Sequence, residues 1–412
     1  MRAVAALLGA ALFAACGSGI CANAPQIFSC EAAGPYAGPP LHVALSADTF
    51  PSASSPDLLK EAVPAELAAL LDARVDAILR QTGLPAVSAA IAIPGFGKWN
   101  ATRGLAQVAP AKPVDGQTLF YWASVAKVLT AALVLQLVDE GKLHLDDRLA
   151  RWFPQIPQAE RITIEQLLSH TSGLPTNALN PRGEIPQTPE QILVAASLGP
   201  NLFCPGLDAS YSNTGYLLLA LIVQAVDDKP FHEVLRQRVA IPLGLEQLRA
   251  LRPGEEQPSD VATPHLARIP QTDPGQWSRI GSGNVIARAD DILSTWFALL
   301  QGRLLLPATV QRQWAQLRPI GGQQSGQSTM WFGQGVMLTE WTDNQNRLRQ
   351  WLGHMGGTPT TNSVVLYDPL IKAYVAVAVN SEVSSVAFAN ALLQVVETWQ
   401  SEHSGSAVEL AR

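Results

Sequence analysis

The chain has 412 residues, 47% of them apolar and 15% charged, with 31 glycines and 30 prolines. That is a globular composition, long enough for a large core and for two or three domains. The formal net charge is −6, from 28 basic and 34 acidic residues, with no basic block or basic helix face, which speaks against a nucleic-acid partner.

At the N-terminus, Arg2 precedes a small apolar run, Ala3–Ala15, too short to span a bilayer. It reads as a targeting segment over residues 1–24. Phe13-Ala14-Ala15-Cys16 resembles a lipoprotein box, with Cys16 as the lipidated residue and membrane tether. Ala22-Asn23-Ala24 is a second candidate exit. Either route makes an exported product, periplasmic or membrane-anchored. The four cysteines are Cys16, Cys21, Cys30 and Cys204, with neither a CxxC pair nor metal-ligand spacing. In an oxidising compartment Cys30 has two candidate partners, Cys21 and Cys204, and the sequence does not choose between them.

Residues 25–57 are rich in Pro, Ala, Gly and Ser and read as an irregular segment. A helix follows near Pro64–Arg80, stopped by Gly83. Val87–Ile93 and Lys98–Arg103 make a hairpin around Pro94-Gly95-Phe96-Gly97. Then comes Phe120–Val138, FYWASVAKVLTAALVLQLV, a helix apolar almost all round and therefore central and buried. Ser124 and Lys127 stand three residues apart at its head, on one face. As plain structure, Ser124 is an N-cap and Lys127 a first-turn lysine. As chemistry, they are a nucleophile with an ammonium able to take or balance its proton, beside helix N–H groups able to hold an oxyanion. A lysine in the first turn opposes the helix dipole and risks burial, which favours the chemical reading.

From His144 to about Leu245 the hydrophobic period is helical. Thr163-x-x-Gln166 and Thr188-Pro189-x-Gln191 are helix starts. Asn213–Val226 is a second strongly apolar helix, and Phe231–Val239 is a third helical stretch. This is read as an all-helical insertion, followed by a long polar loop over 246–283. Asp290–Gln301 and Pro307–Leu317 are helical. Strands are expected at Trp331–Leu338, Arg347–Leu352, Ser363–Tyr367 and Tyr374–Val379, then a final helix at Val386–Trp399. The first hairpin and the last strands then share one antiparallel sheet with helices on its faces, an α+β fold. The expected division is a sheet domain over 58–141 and 285–400, a mainly helical domain over 142–284, and a flexible tail over 401–412.

Two further motifs accompany the Ser-Lys pair. In Tyr211-Ser212-Asn213, Asn213 is either an N-cap or an amide that holds substrate. The Tyr211 oxygen, beside an ammonium, is expected as a phenolate able to act as base or relay. In His354-Met355-Gly356-Gly357 the glycines suit close approach of a substrate chain, the imidazole is a donor into the pocket, and an edge-strand N–H near Gly357 completes an oxyanion hole.

The order Ser124-x-x-Lys127, Tyr211-x-Asn213, His354-x-Gly356 resembles the serine β-lactamase and penicillin-binding-protein superfamily. Its class C branch, with DD-peptidase and esterase relatives, is the most similar, over roughly Leu84–Trp399. The stretches Leu167–Pro175 (LLSHTSGLP), Trp331-Phe332-Gly333-Gln334-Gly335 and Gly353–Gly357 support the resemblance. It implies a β-lactamase/transpeptidase-like fold and an acyl-enzyme on Ser124, with Lys127 and Tyr211 sharing its proton. It also implies that the N–H groups of Ser124 and Gly357 hold the oxyanion, and that Asn213, His354 and Gly356 contact substrate. No metal or organic cofactor is implied. His170 and Ser172 belong to a structural motif.

Class C β-lactamases have lysine where this chain has His354, a weaker donor near neutral pH. The expected activity is therefore hydrolysis of D-alanyl peptides, as in a DD-carboxypeptidase, or of small esters and amides. The alternatives are a class C-like β-lactamase and a catalytically silent penicillin-binding or cell-envelope protein.

Overall fold

The computed structural model describes residues 30, 36–51, 61–186, 188–255, 258–271, 279–320 and 328–403. The expected leader with Cys16 and Cys21, parts of the segment over 25–57, and the tail beyond 403 lie outside the described residues. The tail begins later than expected, because the last helix carries on through His403.

Helix α1 (Ala65–Thr82) buries Leu67, Leu71, Val75 and Ile78, one stripe at helical spacing, and ends on Gly83 in the left-handed conformation. Strands β1 (Ala86–Ile93) and β2 (Gly97–Gln107) form the expected hairpin, and β3 (Lys112–Pro113) adds a short edge. Helix α2 (Ala126–Asp139) is the apolar central helix. The helical insertion contributes α3 (Ile164–Leu168), α4 (Pro189–Leu198) and α5 (Asn213–Asp227), and α6 (Ala289–Leu300) follows. The second half of the sheet is β4 (Arg318–Pro319), β5 (Ser328–Phe332), β6 (Met337–Thr342), β7 (Leu348–Thr358), β8 (Thr361–Asp368) and β9 (Ala373–Val379). Helix α7 (Ser385–His403) closes the fold.

These strands make one nine-stranded sheet in the order β3-β2-β1-β9-β8-β7-β6-β5-β4, antiparallel throughout. The chain's two ends meet at its centre, where Ile91 pairs with Val375 and Val87 with Val379. Both faces are covered, so β1 and β9 are buried at every position. The faces differ in bulk. Val87, Ile91, Val375 and Val377 pack under α1 and α7, whereas Ala86, Ala90, Ala376 and Ala378 face the core built on α2 and α6. Alanine on that side lets α6 lie close to the sheet. The architecture is α+β: a large antiparallel sheet flanked by helices, plus a helical insertion.

Three expectations need correction. The single strand over Trp331–Leu338 is two strands, β5 and β6, folded back on each other around Gly333–Val336. Gly335 there has φ +77°, and a Cβ on it would sit 2.2 Å from Ala131 Cβ of α2. The polar loop expected over 246–283 carries short strands, since Arg249–Ala250 pairs with Val285–Ala287 and His265–Leu266 with Ile269–Pro270. And the strand expected over Arg347–Leu352 runs further, since His354–Gly357 continues β7, paired with β8 as far as Thr358. Cys30 is bonded to Cys204. Among the described residues, no helix is long and apolar enough to cross a membrane.

Candidate active site

Ser124 sits on a turn that is fixed from three sides. The short strand Phe120–Tyr121 pairs with Val285–Ala287. Trp122 then donates its backbone N–H to Val285 O (3.0 Å) and its indole N–H to Ala287 O (3.1 Å), and its carbonyl accepts the Ser363 hydroxyl (2.7 Å). Ala123 has φ +42°, a left-handed conformation that costs a non-glycine residue roughly 1–2 kcal/mol. The turn over Ala123–Val125 is 3₁₀, and the α-helix begins only at Ala126. Ser124 is thus held on a sharp turn just ahead of the helix, half-buried between fully buried neighbours.

Lys127 is completely buried. Its Nζ donates to Asn213 Oδ1 (2.7 Å) and to Ser282 O (2.8 Å), and lies 3.2 Å from Ser124 Oγ. The first two partners can only accept. Three acceptors thus surround Nζ; in the neutral amine two of these contacts use its N–H bonds, which leaves the lone pair for the Ser124 hydroxyl. Burial, and after it the charge of Arg279, holds Lys127 well below the usual lysine value of 10.5. Geometry and electrostatics agree on an amine positioned to accept a proton.

Tyr211 precedes α5. The N-cap of α5 is Ser212, whose Oγ accepts from Gly215 N–H (2.9 Å). Asn213 is therefore not the cap: as the first helical residue it turns its amide to Lys127 and donates Nδ2–H to Asn177 Oδ1 (3.0 Å). The Tyr211 ring lies beneath Lys127 Nζ, 4.8 Å from its centroid. The expected phenolate is corrected: burial pushes the Tyr211 hydroxyl up, outweighing the opposing influence of the Ser124 hydroxyl. With Lys127 biased toward its neutral form, no strong cation offsets that cost. Tyr211 keeps its proton.

His354 is buried on β7, and its Nδ1 lies 2.6 Å from Met355 O. A carbonyl only accepts, so Nδ1 carries the proton and Nε2 is an acceptor. Burial pushes the ring down to about 3, with any positive charge on Lys127 acting in the same direction, so it is neutral at neutral pH. The donor expected here is absent. Gly356 also differs from expectation. Its hydrogen faces protein, because a Cβ would lie 2.6 Å from Trp122 O and 2.7 Å from Ser124 N. The glycine lets β7 lie against the nucleophile's turn. Pairing of β7 with β6 ends at Gly353–Met337, so beyond it Gly357 stands on a locally open edge.

The fold thus brings Ser124, Lys127, Tyr211, Asn213, His354, Gly356 and Gly357 together. Two further contributors were not singled out from sequence, and a third, His170, was read there as part of a structural motif. Ser282 supplies a carbonyl, and Asn177 orients Asn213; neither stands out in a polar loop. His170 holds Tyr211 in place. Its carbonyl accepts from Ser210 N–H (2.9 Å), its Nδ1 accepts from Ser212 N–H (3.1 Å), and its ring stacks on Tyr211 with centroids 4.6 Å apart. The LLSHTSGLP stretch was the available signal for it.

The family described as Beta-lactamase matches residues 71–398 of this sequence. The chain belongs to that family. Penicillin-binding protein 4 of Amycolatopsis lactamdurans is 34% identical over 208 residues, which is 49% of this chain and 53% of that protein. Esterase EstB of Burkholderia gladioli is 32% identical over 200 residues, 44% of this chain and 51% of the esterase. The match therefore spans about half the length of these curated relatives. Among solved structures, D-amino acid amidase of Ochrobactrum anthropi SV3 with bound L-phenylalanine amide superposes with a TM-score of 0.69 at 23% identity, over 82% of this chain and 100% of that chain. At that identity it shows the fold.

In this member of the beta-lactamase family, two cavities open beside Ser124. One, of about 310 Å³, lies toward Tyr211, Phe332, Met337, His354 and Met355. The other, of about 450 Å³, runs past Asn213 between Ile185, Ile192, Leu217 and Arg279.

Proposed function

We propose that this chain is a serine hydrolase that cleaves esters or amides through an acyl-enzyme on Ser124. The observation that carries the reading is the buried Lys127, whose Nζ contacts Ser124 Oγ at 3.2 Å and is otherwise held by Asn213 Oδ1 and Ser282 O.

In acylation, Ser124 Oγ attacks the substrate carbonyl while its proton passes to Lys127 Nζ. The N–H groups of Ser124 and Gly357 hold the oxyanion. As the intermediate collapses, the bond to the leaving oxygen or nitrogen breaks and the Lys127 proton reaches that atom through the Tyr211 hydroxyl. Deacylation repeats the sequence with water, which gives its proton back along the same path and releases the acid. A protonated Tyr211 suits a relay, which must give one proton and take another.

His354 tunes this reading. A carboxypeptidase would meet a substrate carboxylate on the β7 side, and there the imidazole is neutral with Nε2 as an acceptor. Small esters and amides, or an internal peptide bond next to D-alanine, fit better than a free C-terminal carboxylate or a penicillin. The Cys30–Cys204 disulfide supports an oxidising, exported location.

The test is intact mass and turnover with p-nitrophenyl acetate, p-nitrophenyl butyrate and a penicillin. Ester turnover of at least about 10³ over the Ser124→Ala variant is expected, with the acyl group trapped on Ser124 after acid quench. Equal turnover by wild type and Ser124→Ala would refute the proposal. Rapid penicillin turnover would refute the reading of His354.

A further inference from the structure

Tyr211 stands at the end of a loop over 202–210 that is held from two sides. On one side it is fastened to the stretch over 170–176. Leu202 N–H donates to Gly173 O (2.7 Å), Gly206 N–H to Thr171 O (2.8 Å) and Ser210 N–H to His170 O (2.9 Å). On the other side stands a segment from near the start of the chain. Cys30 is bonded to Cys204, and Ala37 N–H donates to Leu207 O (2.8 Å).

The same segment is fastened to the edge of the sheet. His42 N–H donates to Leu317 O (3.0 Å), just ahead of β4, and His42 Nε2 lies 2.9 Å from Glu340 Oε2 of β6. Its ring meets Trp331 of β5 edge-on, with centroids 4.9 Å apart. Tyr36 is half-buried, with the Arg318 guanidinium 5.4 Å from its ring centroid. It packs against an apolar cluster of Ala209, Ile320, Phe332 and Met337, and Tyr211 packs against that same cluster. The Tyr36 hydroxyl has no hydrogen-bond partner among the described residues, so the ring is the part that contributes. Phe332 and Met337 line the β7-side cavity together with Tyr211. One wall of that cavity thus comes from the loop before α5 and another from the sheet, and residues 36–42 run from one to the other.

We propose that Tyr36 is a positioning residue: together with the Cys30–Cys204 bond it holds the loop of Tyr211 against the Phe332 wall and so keeps the Tyr211 hydroxyl in reach of the leaving atom. The proposal rests on the reading that Ser124 is the nucleophile and that Tyr211 passes the Lys127 proton to the leaving group. Loosening the loop then has a narrow consequence. The acyl carbon still bonds to Ser124 Oγ, but the leaving oxygen departs without a well-placed proton. A leaving group stable as an anion tolerates that, and one that needs its proton does not.

The test compares p-nitrophenyl acetate with phenyl acetate. Both give the same acetyl-enzyme, and kcat/KM reports its formation; p-nitrophenolate leaves readily as the anion, whereas phenolate leans more on a proton donor. In Tyr36→Ala, and in the double variant Cys30→Ala/Cys204→Ala, kcat/KM for phenyl acetate is expected to fall about tenfold or more, as a displacement of ~1 Å can cost ~10²-fold, and that for p-nitrophenyl acetate less than about threefold. Tyr211→Phe should shift the ratio of the two esters in the same direction and further. Tyr36→Phe, which keeps the ring, should retain the wild-type ratio. A wild-type ratio in both Tyr36→Ala and the double cysteine variant would overturn the proposal, whether the two esters hold their rates or fall together, and would leave the serine-hydrolase reading standing. An unchanged ratio in Tyr211→Phe would overturn the relay on which the proposal rests, and absence of any Ser124-dependent acetylation would overturn the serine-hydrolase reading as well.

Discussion

At the scale of single residues, the site turns on how many hydrogen-bond acceptors surround one buried amine. Asn213 Oδ1 and Ser282 O take the N–H bonds of Lys127, and they do so without charge. Neutral acceptors satisfy the amine while doing little to favour the ammonium, which burial already penalises. The sign of the pH dependence follows. In the proposed mechanism Lys127 works as the free amine, so the rate should rise with pH through its lowered value and reach its plateau well before 10.5. Tyr211, shifted upward, stays protonated through neutrality and supports that plateau. Asn213→Asp replaces the neutral acceptor by a carboxylate about as large. It favours the ammonium and should move the acidic limb of kcat/KM upward by roughly 1–3 pH units. The rate at neutral pH then falls and is partly regained at higher pH. A loss of equal size at every pH would mean that Asn213 acts on the substrate instead.

At the scale of elements, the site is assembled by pieces that press on α2 through glycine. Gly335, in the β5–β6 turn, has φ +77° and its hydrogen directed at Ala131, with Lys127 O 3.2 Å from where a Cβ would be. Gly356 on β7 plays the same part against Trp122 and Ser124. In each case the glycine lies closer to its neighbour, the Ala131 methyl for Gly335 and the Trp122–Ser124 backbone for Gly356, than a Cβ allows. Gly335→Ala combines a left-handed backbone with a clash against a buried helix and should cost about 2–4 kcal/mol, read as a lowered urea midpoint. Because the displaced helix carries Lys127, kcat should fall with it. An unchanged midpoint would show that the turn can move aside.

At the scale of the whole molecule, the sheet is tied to its last helix by a charge network remote from Ser124. Arg349 of β7 donates to Asp368 Oδ2 of β8 (2.7 Å) and to Glu397 Oε2 of α7 (2.8 Å), and the Trp351 indole donates to the same Asp368 oxygen (3.0 Å). Asp368 is fully buried and Arg349 nearly so. Removing Asp368 leaves Arg349 with Glu397 but takes the partner of its second guanidinium nitrogen and the acceptor of the Trp351 indole, so buried donors go unsatisfied. Asp368→Ala should therefore lose about 3–5 kcal/mol of unfolding free energy in urea titration, with KM for esters unchanged. A shift in KM would show that strain in β7 reaches Gly357.

Much of this was legible in the chain itself. Periodicity marks α1, α2 and α5 as buried helices, because apolar spacing is a local property of the sequence. The alternating runs near both ends place β1 and β9 in one sheet. The spacing of Ser124 and Lys127 puts them on one helical face. What depends on partners far along the chain was decided only by folding. Trp331–Leu338 reads as one strand, since nothing local announces that Gly335 must turn against Ala131. The choice of Cys204 for Cys30 needed proximity across 174 residues. The protonation of Tyr211 and the donor role of His354 were misread for the same reason. Both follow from burial and from neighbours on other elements, and neither quantity is written in the residues on either side.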